Sequence, residues 1–187
     1  MLELFQESVL WKVLTYFLLH PKTSIYVKQL SRELKISPSG TNRALKLLAN
    51  AGILSKEEIG KAHYYLLNNN LPFVKSLKTS HFLAVIKNWE IEKKFFEKDE
   101  SLISLVLYGS YADGDFDERS DIDVLLISPS SKEHFLSLLQ EMEIYLNREV
   151  SLEVFNISRW RKIKKEETAF YQEVMRNHIL LAGNELL

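Results

Sequence analysis

Apolar residues recur at steps of three and four through most of the first fifty positions. Leu2, Phe5, Val9, Leu10, Val13, Leu14, Phe17 and Leu18 mark one face of a helix from Leu2 to His20, and Pro21 ends it. A shorter helix follows over Tyr26 to Leu34, with Val27, Leu30 and Leu34 on its inner side. After the turn at Lys35-Ile36, Ser37-Pro38 predicts a third helix: a hydroxyl cap, then proline where a missing N–H costs nothing. That helix carries Ala44, Leu45, Leu47 and Leu48 and stops at Ala51-Gly52. Ile53 to Lys56 and His63 to Leu67 then form two short strands, with Gly60 in the turn between them.

The pattern changes after Asn68-Asn69-Asn70-Leu71-Pro72, which predicts a boundary and two domains, 1–72 and 73–187. Phe73 to Phe96 is helical by periodicity, with Phe82, Val85, Ile86 and Trp89 on one face. Ile103 to Tyr108 is a nearly continuous apolar run, the mark of a strand buried on both faces, and Ile122 to Ile127 is another. Gly109 to Arg119 between them is a loop or short helix. Lys132 to Leu146 is an amphipathic helix, Val150 to Phe155 a third strand and Glu166 to Leu181 a final helix. The expected class is mixed α and β, with a mixed sheet flanked by helices in the second domain.

Charge sharpens the division. Residues 1–80 carry 11 Lys and Arg against 5 Asp and Glu, whereas residues 101–156 carry 3 against 11. A basic module followed by an acidic one implies two kinds of partner behind a net charge of −1. There is no cysteine, which excludes disulfides, thiolate chemistry and Cys-ligated metals. No apolar run approaches the ~18 residues of a membrane span, and Glu3 and Glu7 interrupt the start where a leader needs a basic flank. A cytoplasmic protein without a membrane partner is expected.

Helix, helix, turn, capped helix and two-stranded ribbon are the order of a winged helix-turn-helix. Val27 to Ser37 followed by Leu47 to Leu54 resembles that family. The resemblance implies duplex DNA as a partner of residues 1–70, with the helix Pro38 to Asn50 in the major groove. Ser39, Thr41, Asn42, Arg43 and Lys46 would contact bases and phosphates, joined by Lys61 of the wing. A docking or homodimerisation module is the other use of such a fold, and Trp11 and Tyr16 suit its core or dimer contacts.

In the second domain, Tyr108-Gly109-Ser110 is followed ten residues later by Asp121-Ile122-Asp123. Residues two apart on a strand point the same way, so both carboxylates project together from apolar surroundings. Their repulsion calls for a hard divalent cation, Mg²⁺ or Mn²⁺. Gly109 after a strand lets backbone amides approach a phosphate chain, and Ser110 adds a hydroxyl. The alternative for the two acids is a pair satisfied by loop amides or by Arg119.

These residues resemble the nucleotidyltransferase superfamily of DNA polymerase beta and kanamycin nucleotidyltransferase. Their pattern is that of its minimal branch, some of whose members are antitoxins that transfer AMP to a partner toxin. The resemblance implies Asp121 and Asp123 as metal ligands, and Glu153 on a later strand as third ligand or general base. It implies Gly109 and Ser110 at the nucleotide, a nucleoside triphosphate (ATP foremost) as donor, and a hydroxyl acceptor that includes protein side chains. Asp113 departs from the pattern, standing where a cation is usual, with Arg119 a candidate replacement. That departure keeps a second expectation open: a DNA-binding regulator or antitoxin whose nucleotidyltransferase domain only senses a nucleotide or dimerises. Arg159 to Lys165, with Trp160 able to stack, is either a nucleic-acid contact or a solvated helix start.

Overall fold

A computed structural model describes residues 8–186 of the chain as two compact units, 1–84 and 85–187. Leu2, Glu3, Phe5 and Glu7, named above, lie outside the described residues. The division falls inside one helix, twelve residues beyond the proline of the boundary read from sequence.

In the N-terminal unit the order is α1 (Val9–Leu19), β1 (Ile25–Tyr26), α2 (Val27–Glu33), α3 (Pro38–Asn50), β2 (Leu54–Ile59) and β3 (Ala62–Leu67), with α4 starting at Pro72. Local chemistry sets the ends. Ser8 Oγ accepts from Trp11 N at 3.4 Å to cap α1, and Ser37 Oγ accepts from Gly40 N at 3.2 Å to cap α3 ahead of Pro38. Val13, Phe17, Leu18, Leu30, Ala44, Leu45 and Leu48 from the three helices close on Ile25, Leu54, Tyr65 and Leu67 of the small sheet. That sheet runs β1-β3-β2, antiparallel throughout. Strands β2 and β3 reach further into the ribbon than their apolar residues predict, meeting across Gly60-Lys61, where Gly60 takes φ +64°.

The helix expected over 73–96 is two. α4 spans Pro72–Asn88 and α5 spans Ile91–Lys98, separated where Glu90 takes φ +60°. Trp89 is buried at this break and stacks on Tyr145 at 6.1 Å, so packing ends the helix where periodicity alone does not.

The remaining elements of the C-terminal unit are β4 (Ser104–Tyr108), α6 (Gly109–Asp113), β5 (Ile122–Ile127), α7 (Lys132–Leu146), β6 (Val150–Phe155), α8 (Ile157–Lys165), α9 (Ala169–Arg176) and β7 (His178–Gly183). The sheet order is β6-β5-β4-β7, with β5 and β6 parallel and the other pairs antiparallel. The final helix expected over 166–181 is therefore a correction: it ends at Arg176, and His178–Gly183 is an edge strand. Ile179-Leu180-Leu181 is too short for periodicity to separate helix from strand. The edge of β4 that β5 leaves free decides the matter, because His178–Gly183 pairs with it. All five residues of β4 are buried. One sheet face packs Val106, Tyr108, Leu125, Ile127 and Phe155 under Trp160 of α8 and Val174 of α9.

Candidate active site

Strand register brings the acids to that covered face. Tyr108 pairs with Asp123, and Leu125 pairs with Glu153 on β6. Cross-strand neighbours share a face, so Asp123 and Glu153 stand with Tyr108 beneath α8 and α9. Tyr108, Asp123, Glu153, Arg159, Phe170 and Glu173 line a cavity of about 590 Å³.

Gly109 is required here twice over. Its φ of +67° suits glycine, and a Cβ would lie 2.3 Å from Asp123 Oδ2. The turn and the carboxylate therefore interlock. Asp123 is half-buried, and burial, then the charges of Asp121 and Glu173, push its carboxyl up to about 6. Burial, then Asp123, Glu153 and Glu173, likewise hold the Tyr108 hydroxyl protonated far above its usual range. The cavity sets the carboxylates of Asp123, Glu153 and Glu173 against one arginine, Arg159, and Asp123 fits a divalent cation as a hard oxygen donor in need of counter-charge.

The complete three-acid set is not assembled. Among the described residues no three His, Asp or Glu side chains stand together as a metal site. Asp121 precedes β5 instead of lying in it, is exposed, and lines a second cavity with Arg148, Glu149 and Ser151. Sequence reasoning also missed Glu173. Its signal was there, a carboxylate at the i+3 position of the inward stripe Phe170, Glu173, Val174.

Asp113, the departure from the family pattern, is satisfied by residues far along the chain. Asn177 Nδ2 donates to its Oδ1 at 2.6 Å and Arg176 Nη2 to its Oδ2 at 3.3 Å. Arg119, considered as a stand-in cation, uses its backbone N–H on Asp117 at 2.8 Å, and its residue is exposed. Trp160 is 1 % exposed beneath the helix and offers no stacking face to a nucleic acid.

In the N-terminal unit, Ser39, Arg43, Lys46 and Lys61 are exposed and Asn42 is half-buried. Thr41 is a correction. It is fully buried beside Ala44, Leu45 and Leu48, and its hydroxyl donates to the Ser37 carbonyl at 3.0 Å. Placing every polar residue of α3 outside overlooked that a threonine can bury its methyl while its hydroxyl bonds back four residues.

Residues 90–180 match the nucleotidyltransferase domain family. No curated protein matches the chain. Among solved structures, a mutant of the MntA–HpeT toxin–antitoxin shares 20% identity over 51% of this chain and 73% of its own, with a TM-score of 0.40. A toxin–antitoxin with AMP-PNP shares 22% over 50% and 74%, TM-score 0.37. The tri-AMPylated Shewanella oneidensis HEPN toxin in complex with MNT antitoxin gives 17% over 59% and 73%, TM-score 0.33. The family match, spanning the glycine turn and all four acids, makes the assignment: residues 90–180 of this chain are a nucleotidyltransferase domain.

Proposed function

We propose that the C-terminal unit transfers a nucleoside monophosphate, AMP from ATP, onto a hydroxyl acceptor, and that the N-terminal unit is a winged helix that binds duplex DNA. The observation that carries the first part is the interlock of Gly109 with the half-buried, charge-stressed Asp123. A glycine turn in which a Cβ would crowd a carboxylate in need of a cation suits a metal-bound triphosphate.

Asp121, Asp123 and Glu153 would hold Mg²⁺ or Mn²⁺, which supplies neutralisation of phosphate charge and alignment of the reacting oxygens. The turn at Gly109 and Ser110 seats the phosphates. Glu153 accepts the proton of the incoming hydroxyl as its oxygen bonds to the α-phosphorus and pyrophosphate departs. Catalysis is thus positioning and charge neutralisation. Arg159, above the Phe155 ring at 5.0 Å, lines the cavity on the Glu153 side, where the acceptor enters. A protein hydroxyl, a nucleic-acid end and a small alcohol all satisfy this chemistry.

The DNA reading rests on the exposed Ser39, Arg43 and Lys46 of a hydroxyl-capped helix, backed by the ribbon that carries Lys61. One observation favours a second reading of the C-terminal unit, as a nucleotide sensor governing a DNA-binding regulator: the three-acid metal set is open among the described residues. The deciding experiment incubates the full chain with α-labelled ATP, Mg²⁺ or Mn²⁺ and cell lysate. Transfer of label by the wild type and its loss in Glu153→Gln, with nucleotide binding retained, support the enzyme. Binding of ATP that alters DNA affinity without any transfer supports the sensor.

A further inference from the structure

The acids of the catalytic unit have a counterpart in one short helix. Over Ile157–Lys165, α8 carries Arg159, Arg161, Lys162, Lys164 and Lys165 and no acid. It follows directly on residues 101–156, which hold 3 Lys and Arg against 11 Asp and Glu. All five basic residues are exposed. Among the described residues one of them is in an ion pair, Lys162 with Glu166 at 3.8 Å, and an exposed pair of that kind contributes little and is screened by salt. Glu166 and Glu167 follow the helix and leave it a clear excess of positive charge.

The helix runs along the rim of the acid-lined cavity. Its inner side, Trp160 and Ile163, packs on the sheet face with Phe155. Arg159, Lys162 and Lys165 stand three residues apart, so they are surface neighbours in one row leading away from the cavity. Arg159 is where the row meets the chemistry. It lines the cavity of Asp123, Glu153 and Glu173, and with Glu153 it also lines the adjoining space of about 420 Å³ that holds Lys132 and Glu133. Arg161, on the opposite flank of the helix, lines a different cavity with Glu185.

We propose that the acceptor is a nucleic-acid strand, whose phosphates lie along Arg159, Lys162 and Lys165 and whose free terminal hydroxyl enters the cavity to meet Glu153. The inference rests on the transferase reading above and names its acceptor. The hydroxyl oxygen bonds to the α-phosphorus of ATP, and the bond from that phosphorus to the oxygen bridging the β-phosphate breaks. Pyrophosphate leaves, the proton passes to Glu153, and the strand is longer by one AMP. The charge pattern gives the strand its direction. Asp123, Glu153 and Glu173 repel any phosphate that brings no metal with it and admit a neutral hydroxyl end, while α8 holds the phosphates outside. An acidic protein fits this surface less well. Protein interfaces have apolar centres and are poor in lysine, whereas nucleic-acid interfaces are polar and strongly positive. On α8 the one large apolar residue exposed is Ile157, at its start. A membrane surface fits less well again, because the apolar face of the helix is already packed on the sheet.

The test gives the full chain α-labelled ATP, Mn²⁺ and defined acceptors: short single-stranded RNA or DNA, with ends free or blocked by phosphate, and nuclease-treated lysate protein. Label should enter a free-ended strand, with the RNA and DNA arms showing which sugar the cavity takes, and should not enter a blocked one. Lys162→Gln and Lys165→Gln, both at exposed positions, should each raise the KM for the strand about three- to tenfold. Each should also lower the slope of log kcat/KM against log salt by about 0.7, the single-strand value for one phosphate contact. In both variants kcat and the affinity for Mn²⁺–ATP should change less than about twofold, because neither lysine lines the cavity. Arg161→Gln, on the far flank, should likewise change the KM for the strand less than about twofold. Label that enters lysate protein and no strand overturns the inference and leaves the transferase reading standing. So does an unchanged KM in both lysine variants, or an equal rise in Arg161→Gln. A wild type that labels no acceptor overturns both.

Discussion

In the N-terminal unit the groups with chemistry to offer stand in solvent: Ser39, Arg43 and Lys46 on α3, and Lys61 at the tip of the ribbon. In the C-terminal unit they are drawn partly under two helices, where Asp123 and Glu153 share a cavity with Glu173 and Tyr108. The difference matches the tasks proposed. A long polyanion can be met by a screened, exposed surface whose cost of desolvation is small. Bond-making at phosphorus needs charges that water does not screen, and the protein accepts a strained carboxylate to have one there.

The largest expected effect comes from the strained carboxylate. Asp123→Asn should cut transfer by about 10²–10⁴-fold and abolish the rise in melting temperature with Mn²⁺ and ATP. The same variant should be more stable than wild type in metal-free buffer near pH 7.5, by on the order of 1–2 kcal/mol. The sign follows from the raised carboxyl. Its ionised form is disfavoured in the folded state, so apo-protein stability from this group falls as pH rises from about 4 through about 6. A variant that loses both activity and stability would mean that Asp123 has a structural partner instead of an unmet charge.

Next in size is Gly109→Ala. The positive φ and the 2.3 Å approach to Asp123 Oδ2 should cost about 1–3 kcal/mol in denaturant unfolding and displace the carboxylate, with loss of nucleotide binding. Gly52, also at positive φ but with open space around its Cβ, is the comparison: Gly52→Ala should cost only the backbone strain and leave nucleotide binding alone.

The basic unit should respond gradually. Arg43→Ala and Lys46→Ala should each lower the slope of log affinity for duplex DNA against log salt by about 1. Unchanged slopes would recast this unit as a docking module. Smallest of all, Thr41→Val should leave DNA binding unchanged and shift stability by less than about 1.5 kcal/mol, since its buried hydroxyl donates back to the Ser37 carbonyl. A marked loss of DNA affinity in Thr41→Val would mean that α3 presents a different face from the one described.

Sequence periodicity was sufficient for most elements because burial and period coincide there. α3 and α7 span the residues that their apolar stripes predict, with the Ser37 cap of α3 in place, and β6 is bounded as its residues predict. The glycine turn and Asp123 were legible for a related reason, since a glycine directly after an apolar strand and a carboxylate within one are both rare without cause, whereas Asp121 proved to lie before β5. By itself the sequence thus determined the order of most elements and the opposed charge of the two halves. Only tertiary structure decided that His178–Gly183 is a strand, because the hydrogen bonds that make it one belong to β4. It alone put Arg176 and Asn177 on Asp113, Arg148 on Tyr111 and Glu173 beside Asp123, pairs separated by tens of residues. Period and spacing record what a residue does with its near neighbours; charge balance in a pocket depends on residues that meet only after the sheet has closed.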